Sequence, residues 1–279
     1  MSLRLITRSV WHNPGNRGHR LRHAFAAVAW QIRKRVWGKP RVLRLANGLR
    51  FRAHPDCVVS SALIYSRWPE YAELQFLRSQ LRRDDVVLDV GANVGHLSLL
   101  LADVVGPGSL FAFEPTPLTF RRLVQNWQLN DWPTDQLFQV AVGAEAGQVL
   151  IPDSDRPETK NQVSKSQCSG PSVAVPLVRL DDYRHRWAGR KLGLLKIDVE
   201  GYEREVFRGG QQLLEVDRPG LIMFESLAGS VEAEIAALLQ RVRYEVFQLD
   251  ANGVPDFHHA VAQNLFAVPT ERRREVCRD

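Results

Sequence analysis

The chain has 279 residues, 44% of them hydrophobic and 24% charged, which excludes a disordered chain or a fibrous repeat and allows one large domain or two smaller ones. Its 37 Lys and Arg against 31 Asp and Glu give a formal net charge of +6. Cys57, Cys168 and Cys277 lack CxxC spacing, so we expect neither a disulfide framework nor a structural zinc site. A reducing, cytoplasmic location is the default for such a chain.

The positive charge is concentrated at the N-terminus. Residues 1–52 contain thirteen Lys and Arg and no acid, and the first acid is Asp56. The rest of the chain has 24 basic and 31 acidic residues, a net charge of −7. We therefore predict a basic appendage, residues 1–56, ahead of an acidic body. This distribution disfavours nucleic-acid binding over the whole surface.

Residues 20–37 have the pattern of a basic amphipathic helix, in which apolar residues recur at helical spacing. These residues are Phe25, Val28, Ile32 and Val36, with Arg33, Lys34 and Arg35 near the end. The apolar run at 24–30 is much shorter than the about 20 residues that span a bilayer. Two interpretations stay open: the helix packs on the body with its arginines in solvent, or residues 1–52 make a peripheral contact with an anionic membrane surface or a polyanionic partner.

A β-hairpin and a helix are predicted next. Two alternating runs around Asn47-Gly48 predict the hairpin over residues 42–54, because Asn and Gly tolerate positive φ. Residues 70–82 predict the helix. The aromatic residues just before it are either core residues or a wall for a sugar or an adenine, namely Tyr65, Trp68 and Tyr71.

From residue 85 onward, strand and helix patterns alternate, which is typical of a parallel sheet with helices on both faces and predicts an α/β fold. The predicted strands are 86–90, 109–113, 136–142, 193–198, 220–225, 244–248 and 264–268, and the predicted helices lie near 96–105, 117–130, 203–216 and 231–241. The polar residues 152–172 predict a loop, which is a candidate lid.

The first of these strands leads into a glycine loop, DVGANVG at residues 89–95. Glycines at the carboxyl end of a parallel strand let the backbone turn tightly and let a ligand approach closely. The DxGxxxG spacing is neither the GxGxxG of dinucleotide folds nor a P-loop. An acid before the first glycine disfavours a diphosphate and suits a ligand with a cationic amino-acid part, such as S-adenosylmethionine. Asp89, Gly91, Asn93 and Gly95 are therefore candidate cofactor residues.

A second acid, Glu114, ends the next predicted strand, 23 residues beyond Gly91. A carboxylate at this place can accept hydrogen bonds from both ribose hydroxyls of a nucleoside, as the acid of dinucleotide folds does. Alone, Glu114 is better explained as a solvated strand end or as a helix N-cap ahead of Pro115. Together with the glycine loop, it favours cofactor binding.

Eight segments in a fixed order carry a resemblance to a known family. They are VLDVGANVGHLSLLLA, FAFEP, NWQLN, AVGAEAGQVLI, LVRLDDY, LLKIDVEGYEREVFRGG, LIMFE and NLFAVP. The chain resembles the FkbM family of S-adenosylmethionine-dependent methyltransferases over about residues 57–269, which leaves residues 1–56 and a charged tail, 270–279, outside. The resemblance implies a seven-stranded class I methyltransferase fold and methylation of a hydroxyl on a sugar, glycan or small-molecule natural product.

Methylation of an alcohol requires that its proton leave as the new bond forms, so a base or a metal should stand nearby. Lys196, Asp198 and Glu200 lie at the end of one predicted strand, and Glu225 ends its neighbour. Three interpretations stay open. The acids are strand ends that cap the next helix; or Asp198 or Glu200 is a general base, with Lys196 balancing the charge; or Asp198 and Glu225 bind Mg²⁺.

Two other functions compete with methylation of a small molecule or glycan. A nucleic-acid methyltransferase would use the basic arm for docking, but the chain lacks an NPPY-like or DPPY-like tetrapeptide and a PC-containing nucleophile motif. A body of net charge −7 would also repel phosphates. A non-catalytic module that binds the cofactor is the second alternative.

Overall fold

The computed structural model describes residues 8–152, 172–226 and 229–277. Cys168 and the predicted loop 152–172, apart from its two end residues, lie outside the described residues. The strands are β1 (Arg41–Arg44), β2 (Arg50–Ala53), β3 (Val86–Val90), β4 (Leu110–Phe113), β5 (Leu137–Phe138), β6 (Ala141–Val142), β7 (Gly147–Pro152), β8 (Ser172–Val178), β9 (Leu192–Ile197), β10 (Leu221–Glu225), β11 (Tyr244–Leu249), β12 (Pro255–Asp256) and β13 (Asn264–Pro269). The helices are α1 (Arg20–Val36), α2 (Val58–Tyr65), α3 (Tyr71–Gln80), α4 (His96–Val105), α5 (Pro117–Gln128), α6 (Glu203–Gly209), α7 (Ala233–Arg241) and α8 (Arg273–Val276).

The main sheet has the strand order β12-β11-β13-β10-β9-β3-β4-β5. Strands β3, β4, β5, β9 and β10 are parallel to their neighbours in this set, whereas β13 is antiparallel to both β10 and β11. The sheet is therefore mixed rather than wholly parallel. Without the two-residue β12, seven strands remain, which confirms the predicted α/β class I methyltransferase fold.

Helices cover both faces of the sheet, as the alternation of side chains along β3 makes clear. Val87 belongs to one hydrophobic cluster with residues of α1 to α5. Val86 and Leu88 belong to the opposite cluster with residues of α6 and α7. Because successive side chains of a strand point to opposite faces, a strand with both clusters around it is apolar at nearly every position, and in β3 only Asp89 is not. This explains why all five residues of β3 are buried.

Two predicted elements are wrong in extent. Residues 136–142 form two short strands instead of one: β5 pairs with β4, and β6 pairs with β8 in a separate three-stranded sheet. The predicted helix 203–216 ends at Gly209, because two consecutive glycines disfavour the helix, and a short π-helix follows at Leu213–Asp217. Helices α3, α4, α5 and α7 begin and end within two residues of their predicted limits.

The small sheet β6-β8-β7 was not predicted. Its hairpin of β7 and β8 encloses residues 153–171, so no short turn marks the pairing in the sequence. Its inner side chains form a cluster of their own, Ala141, Val149, Ile151, Val175 and Leu177. This sheet holds residues 140–142 beside the carboxyl edge of the main sheet.

The N-terminal helix packs on the body, and the side that it buries is not the one that carries Phe25, Val28, Ile32 and Val36. Ala27 and Trp30 are buried against α2, and the Trp30 indole donates a hydrogen bond to Ser61 Oγ at 3.1 Å. The predicted hairpin is confirmed, with Arg41 opposite Ala53. A domain boundary at residue 56 stays a prediction. In the described parts of the chain, none of the helices has both the length and the apolar character that a bilayer crossing requires.

Candidate active site

A cleft opens where β3, β4 and β9 end at the carboxyl edge of the main sheet. In open α/β sheets this edge is where ligands bind. The residues around the cleft come from the glycine loop, the end of β4, the turn before α5, the start of β6 and the segment after β9. They are Val90, Gly91, Asn93, Phe113, Glu114, Pro115, Thr116, Thr119, Val140, Ala141, Val142, Asp198, Val199 and Glu200.

Gly91 brings the glycine loop against the end of β9. Its φ of +76° is in the left-handed region, and a Cβ at this position would lie 1.8 Å from the carbonyl oxygen of Asp198. Gly95 has a different structural role. A Cβ there would lie 2.4 Å from Leu123 Cδ1, so this glycine allows α5 to pack closely. Gly95 is not among the residues that line the cleft.

Glu114 is buried at the end of β4 and holds two loops together. Its Oε2 accepts a hydrogen bond from the Asn93 backbone N–H at 3.0 Å, and its Oε1 accepts one from the Thr116 N–H at 2.9 Å. Burial raises the pKa of Glu114, although these backbone N–H groups oppose the shift. A carboxylate has about four acceptor sites, so Glu114 retains capacity for a further donor.

Lys196 is a buried ammonium at the centre of the site. Its Nζ donates to the carbonyl oxygen of Gly91 at 2.8 Å and lies 3.3 Å from Asp89 Oδ1 and 3.4 Å from Asp198 Oδ2. Burial by itself would lower the pKa of Lys196, but the carboxylates of Asp198 and Asp89 outweigh it and raise the pKa. Lys196 therefore keeps its proton and does not serve as a base.

Asp89 lies behind Lys196 rather than in the cleft. It is 1% exposed and accepts a hydrogen bond from Ser98 Oγ at 2.7 Å. A buried carboxylate needs a positive partner, and Lys196 supplies it. The pair joins the end of β3 to the end of β9, and with it the two halves of the cleft.

Three acids meet where β9 and β10 end. Asp198, Glu200 and Glu225 each offer a carboxylate oxygen within 4.8 Å of the others. Glu225 accepts a hydrogen bond from Gln263 Nε2 at 2.7 Å. Burial raises the pKa of Glu225, and the neighbouring charge of Asp198 adds to the shift. The three carboxylates therefore lie close together, and the roles assigned to them from the sequence stay predictions.

Glu203 fixes the loop that carries Asp198 and was not predicted. Its Oε1 accepts hydrogen bonds from the backbone N–H groups of Val199 and Gly201, both at 3.1 Å. Glu200, between them, has a φ of +54°. A Glu in the first turn of a predicted helix is a known capping signal, so the pattern VEGYE could have indicated this role.

A second unpredicted acid, Glu70, faces the same cluster from the N-terminal side. It precedes α3 with a φ of +46° and interacts electrostatically with Asp198 and Glu225. Asn16, which is fully buried, holds the preceding turn: its Nδ2 donates to the carbonyl oxygen of Tyr65 at 2.9 Å, and its Oδ1 accepts from the Arg67 N–H at 2.9 Å. The N-terminal segment therefore positions a carboxylate near the site.

Replacing Glu70 by Gln should stabilise the protein at pH 8 but not at pH 4.5. Glu70 is exposed at the surface, but neighbouring protein partly desolvates its carboxyl group, and this desolvation, together with the charges of Glu73, Asp198 and Glu225, raises its pKa to about 7. Lys196 opposes the shift. Unfolded, the group titrates near 4.5. Its charge therefore destabilises the fold increasingly from about pH 4.5 to about 7 and fully above that.

Thermal unfolding of Glu70→Gln and of the unaltered protein at both pH values measures this effect. The expected result is a higher Tm for the variant at pH 8 and equal Tm values at pH 4.5. A variant that melts earlier at pH 8 would mean that Glu70 is held by favourable contacts.

The comparison with known families decides what kind of protein has this site. The sequence model described as the Methyltransferase FkbM domain matches residues 89–249, more than half of the chain. The chain belongs to this family. It is an S-adenosylmethionine-dependent methyltransferase, and the matched range contains the glycine loop, Glu114 and the three converging acids.

Curated relatives of this FkbM-family methyltransferase act on different molecules. The hexuronic acid methyltransferase AglP of Haloferax volcanii is 26% identical over 191 residues, which are 68% of this chain and 76% of that protein. The 31-O-demethyl-FK506 methyltransferase FkbM of Streptomyces tacrolimicus is 28% identical, over 64% of this chain and 78% of that protein. The 2-O-methyltransferase NoeI of Sinorhizobium fredii is 30% identical, over 48% of this chain and 61% of that protein.

Among solved structures, the methyltransferase FkbM from Methylobacillus flagellatus aligns with 91% of this chain and 60% of that chain, at 12% sequence identity and a TM-score of 0.44. The strand order of the main sheet by itself identifies the fold.

Proposed function

We propose that this FkbM-family methyltransferase transfers the methyl group to a hydroxyl oxygen of a sugar, a glycan or a small-molecule natural product. The observation that carries the proposal is the convergence of Asp198, Glu200 and Glu225 beside the cleft that the glycine loop forms. A hydroxyl must lose its proton during transfer, and these carboxylates provide acceptors for it. The names of the relatives, which include a hexuronic acid and 31-O-demethyl-FK506, support this acceptor class.

The cleft residues fit S-adenosylmethionine. Apolar side chains, among them Phe113, Val140 and Val142, would contact the adenine, and Glu114 would accept hydrogen bonds from the ribose hydroxyls. The glycine at 91 lets the loop that lines the cleft lie against the end of β9, because a Cβ there would overlap the backbone carbonyl of Asp198. When bound, the cofactor supplies an already activated methyl group. The protein must therefore orient the acceptor and exclude water.

Asp198 is the residue that we assign to the acceptor proton. Its carboxylate is 46% exposed and follows β9 at the edge of the cleft, so a hydroxyl can reach it. Lys196, held at 3.4 Å, fixes the orientation of the carboxylate from the buried side. Glu203 keeps the loop after Asp198 in place through its two backbone hydrogen bonds. In this arrangement Asp198 accepts the proton, and Glu200 and Glu225 orient the acceptor.

The same three acids would also suit a Mg²⁺ ion, which prefers carboxylate oxygens. A metal would lower the pKa of the acceptor hydroxyl instead of leaving the whole task to a base. Chelation separates the two mechanisms. If Asp198 acts as a base, EDTA will leave the rate unchanged; loss of activity with EDTA and recovery with Mg²⁺ would identify the metal mechanism.

The acceptor class is tested with S-adenosylmethionine that carries an isotopically labelled methyl group. We expect the purified protein to label sugars or small molecules in a deproteinised, nucleic-acid-free cell extract. Mass spectrometry should find the label in an ether linkage on oxygen. Label in nucleic acid or protein, or attached to nitrogen or carbon, would contradict the proposal, and cofactor binding without turnover on any fraction would favour a non-catalytic module.

A further inference from the structure

Helix α1 presents an apolar stripe to solvent. Its members are spaced four, three, four and four residues apart and therefore share one side of the helix. They are Leu21, Phe25, Val28, Ile32 and Val36, and between 49% and 75% of each is exposed. Isolated exposed apolar residues are ordinary, but a contiguous row of five large ones indicates an interaction surface.

The stripe cannot turn inward, because the opposite side of α1 is fixed to α2. Trp30 is fully buried there, and its indole bonds to Ser61. Lys34 Nζ also donates to Ser61 Oγ at 3.1 Å, and His23 Nδ1 lies 3.2 Å from the carbonyl oxygen of Ile64. The helix thus offers its apolar stripe on a rigid base.

A basic cleft adjoins this helix, between α1, β1 and the end of α2. It has a volume of about 460 Å³. Its charged lining consists of Arg22, Arg41, Arg44 and Arg67, with His19 and His23. In the ranges that the structure describes, none of these four arginines is ion-paired with a carboxylate, and no acid lines the cleft. Unpaired guanidinium groups converging on a cavity are suited to phosphate.

We propose that α1 and the basic cleft form a docking surface for an anionic phospholipid membrane. The apolar stripe would lie at the boundary between headgroups and acyl chains, and the arginines would contact lipid phosphates. Residues 1–55 contain no acid, so no carboxylate in this segment repels such a surface. Nucleic acid is a poorer partner, because four of the five side chains of the exposed apolar stripe are aliphatic and cannot stack on bases. The proposal concerns location and does not depend on the identity of the methyl acceptor.

Vesicle co-sedimentation of the full chain tests the proposal. We expect binding to vesicles of equal parts phosphatidylcholine and phosphatidylglycerol, and little binding to pure phosphatidylcholine. Replacing Phe25 and Ile32 together by Ser should weaken binding roughly tenfold or more, because two apolar side chains that would insert into the membrane are lost. The matched control replaces Val216 and Val254 by Ser. Both valines are similarly exposed but lie outside the stripe, so this variant should bind vesicles as the unaltered protein does.

The contribution of the cleft is measured with Arg22→Gln combined with Arg41→Gln. We expect a loss of roughly thirtyfold, because each of the two near-surface arginines contributes about 1 kcal/mol to binding of an anionic leaflet and about 1.4 kcal/mol corresponds to a factor of ten. Arg83→Gln with Arg274→Gln removes the same charge from other exposed positions and serves as the control. Equal S-adenosylmethionine binding and equal Tm would show that all variants are folded.

Four outcomes would overturn the proposal. They are absence of vesicle binding, equal binding to neutral vesicles, equal loss in the control variants, and RNA binding that Phe25→Ser with Ile32→Ser leaves intact. A further experiment adds inorganic phosphate to the vesicle-bound protein, with chloride at equal ionic strength as the control, and measures release of the protein. If phosphate alone released the protein and the apolar variants bound normally, the cleft would be a site for free phosphate.

Discussion

Asp198→Asn is expected to lower kcat for methyl transfer by about 10²- to 10⁴-fold, the usual contribution of a general base. The amide keeps the shape of the side chain but cannot take the acceptor proton. Lys196 retains Asp89 at 3.3 Å, so the buried ammonium stays paired and the fold should be little changed. We expect S-adenosylmethionine to bind the variant within a few-fold of its normal affinity, measured by calorimetry.

The matched control for this variant is Asp84→Asn. Asp84 is 82% exposed, lies outside the cleft and has a positive φ of 66°, which Asn tolerates well. Its kcat should be unchanged. A near-normal rate in Asp198→Asn would contradict the role that we assign to this residue. An equally large loss of kcat when EDTA is added to the unaltered protein would mean that Asp198 binds a metal instead of accepting the proton.

The core of the fold could be predicted because its elements have strong local patterns. β3 is apolar at every position except Asp89, and the glycines that follow it mark a turn at the edge of a sheet. β9 is apolar except at Lys196 and is followed directly by Asp198, and β10 is apolar up to its last residue, Glu225. Since the carboxyl ends of neighbouring parallel strands meet, a sequence that predicts both strands also predicts that Asp198 and Glu225 are close.

The exposed side of α1 could not be predicted in this way. Periodicity identifies Phe25 and Ile32 as members of one side but does not state whether protein or solvent covers it. The buried side is chosen by Trp30, which fits against α2, and by the small residue Ala27. Glu70 was missed for a related reason: its approach to the site depends on hydrogen bonds that Asn16 makes across 49 and 51 positions of chain.

Residue types alone also did not separate ligand contacts from supporting contacts. Gly91 and Gly95 occur in one motif and both have positive φ, yet one borders the cleft and the other admits α5. Asp89 and Asp198 are both near Lys196, yet only Asp198 borders the cleft. The distinction depends on which distant residues each glycine or carboxylate contacts in the folded chain. A short stretch of sequence does not contain that information.

Gly91→Ala is expected to destabilise the protein by about 2–5 kcal/mol. The left-handed conformation costs a residue with a Cβ about 1–2 kcal/mol, and the overlap with the Asp198 carbonyl oxygen requires a backbone shift that adds about 1–3 kcal/mol. Because Lys196 Nζ bonds to the Gly91 carbonyl oxygen, the shift would also disturb the ammonium and its carboxylates. Urea unfolding followed by tryptophan fluorescence measures the loss.

The same substitution should reduce catalysis even where the protein remains folded. Gly91 and Asp198 line the same cleft, so a displacement of about 1 Å between them would misalign the methyl donor and the proton acceptor and lower kcat/KM by about 10²-fold. Gly108→Ala is the matched control, because nothing lies within 4 Å of a Cβ there and its φ is outside the left-handed region. If Gly91→Ala were as stable and as active as Gly108→Ala, that result would contradict the close approach of the glycine loop to the end of β9. The close approach of Gly91 to Asp198 is thus the contact on which both the stability of the edge and the geometry of transfer depend.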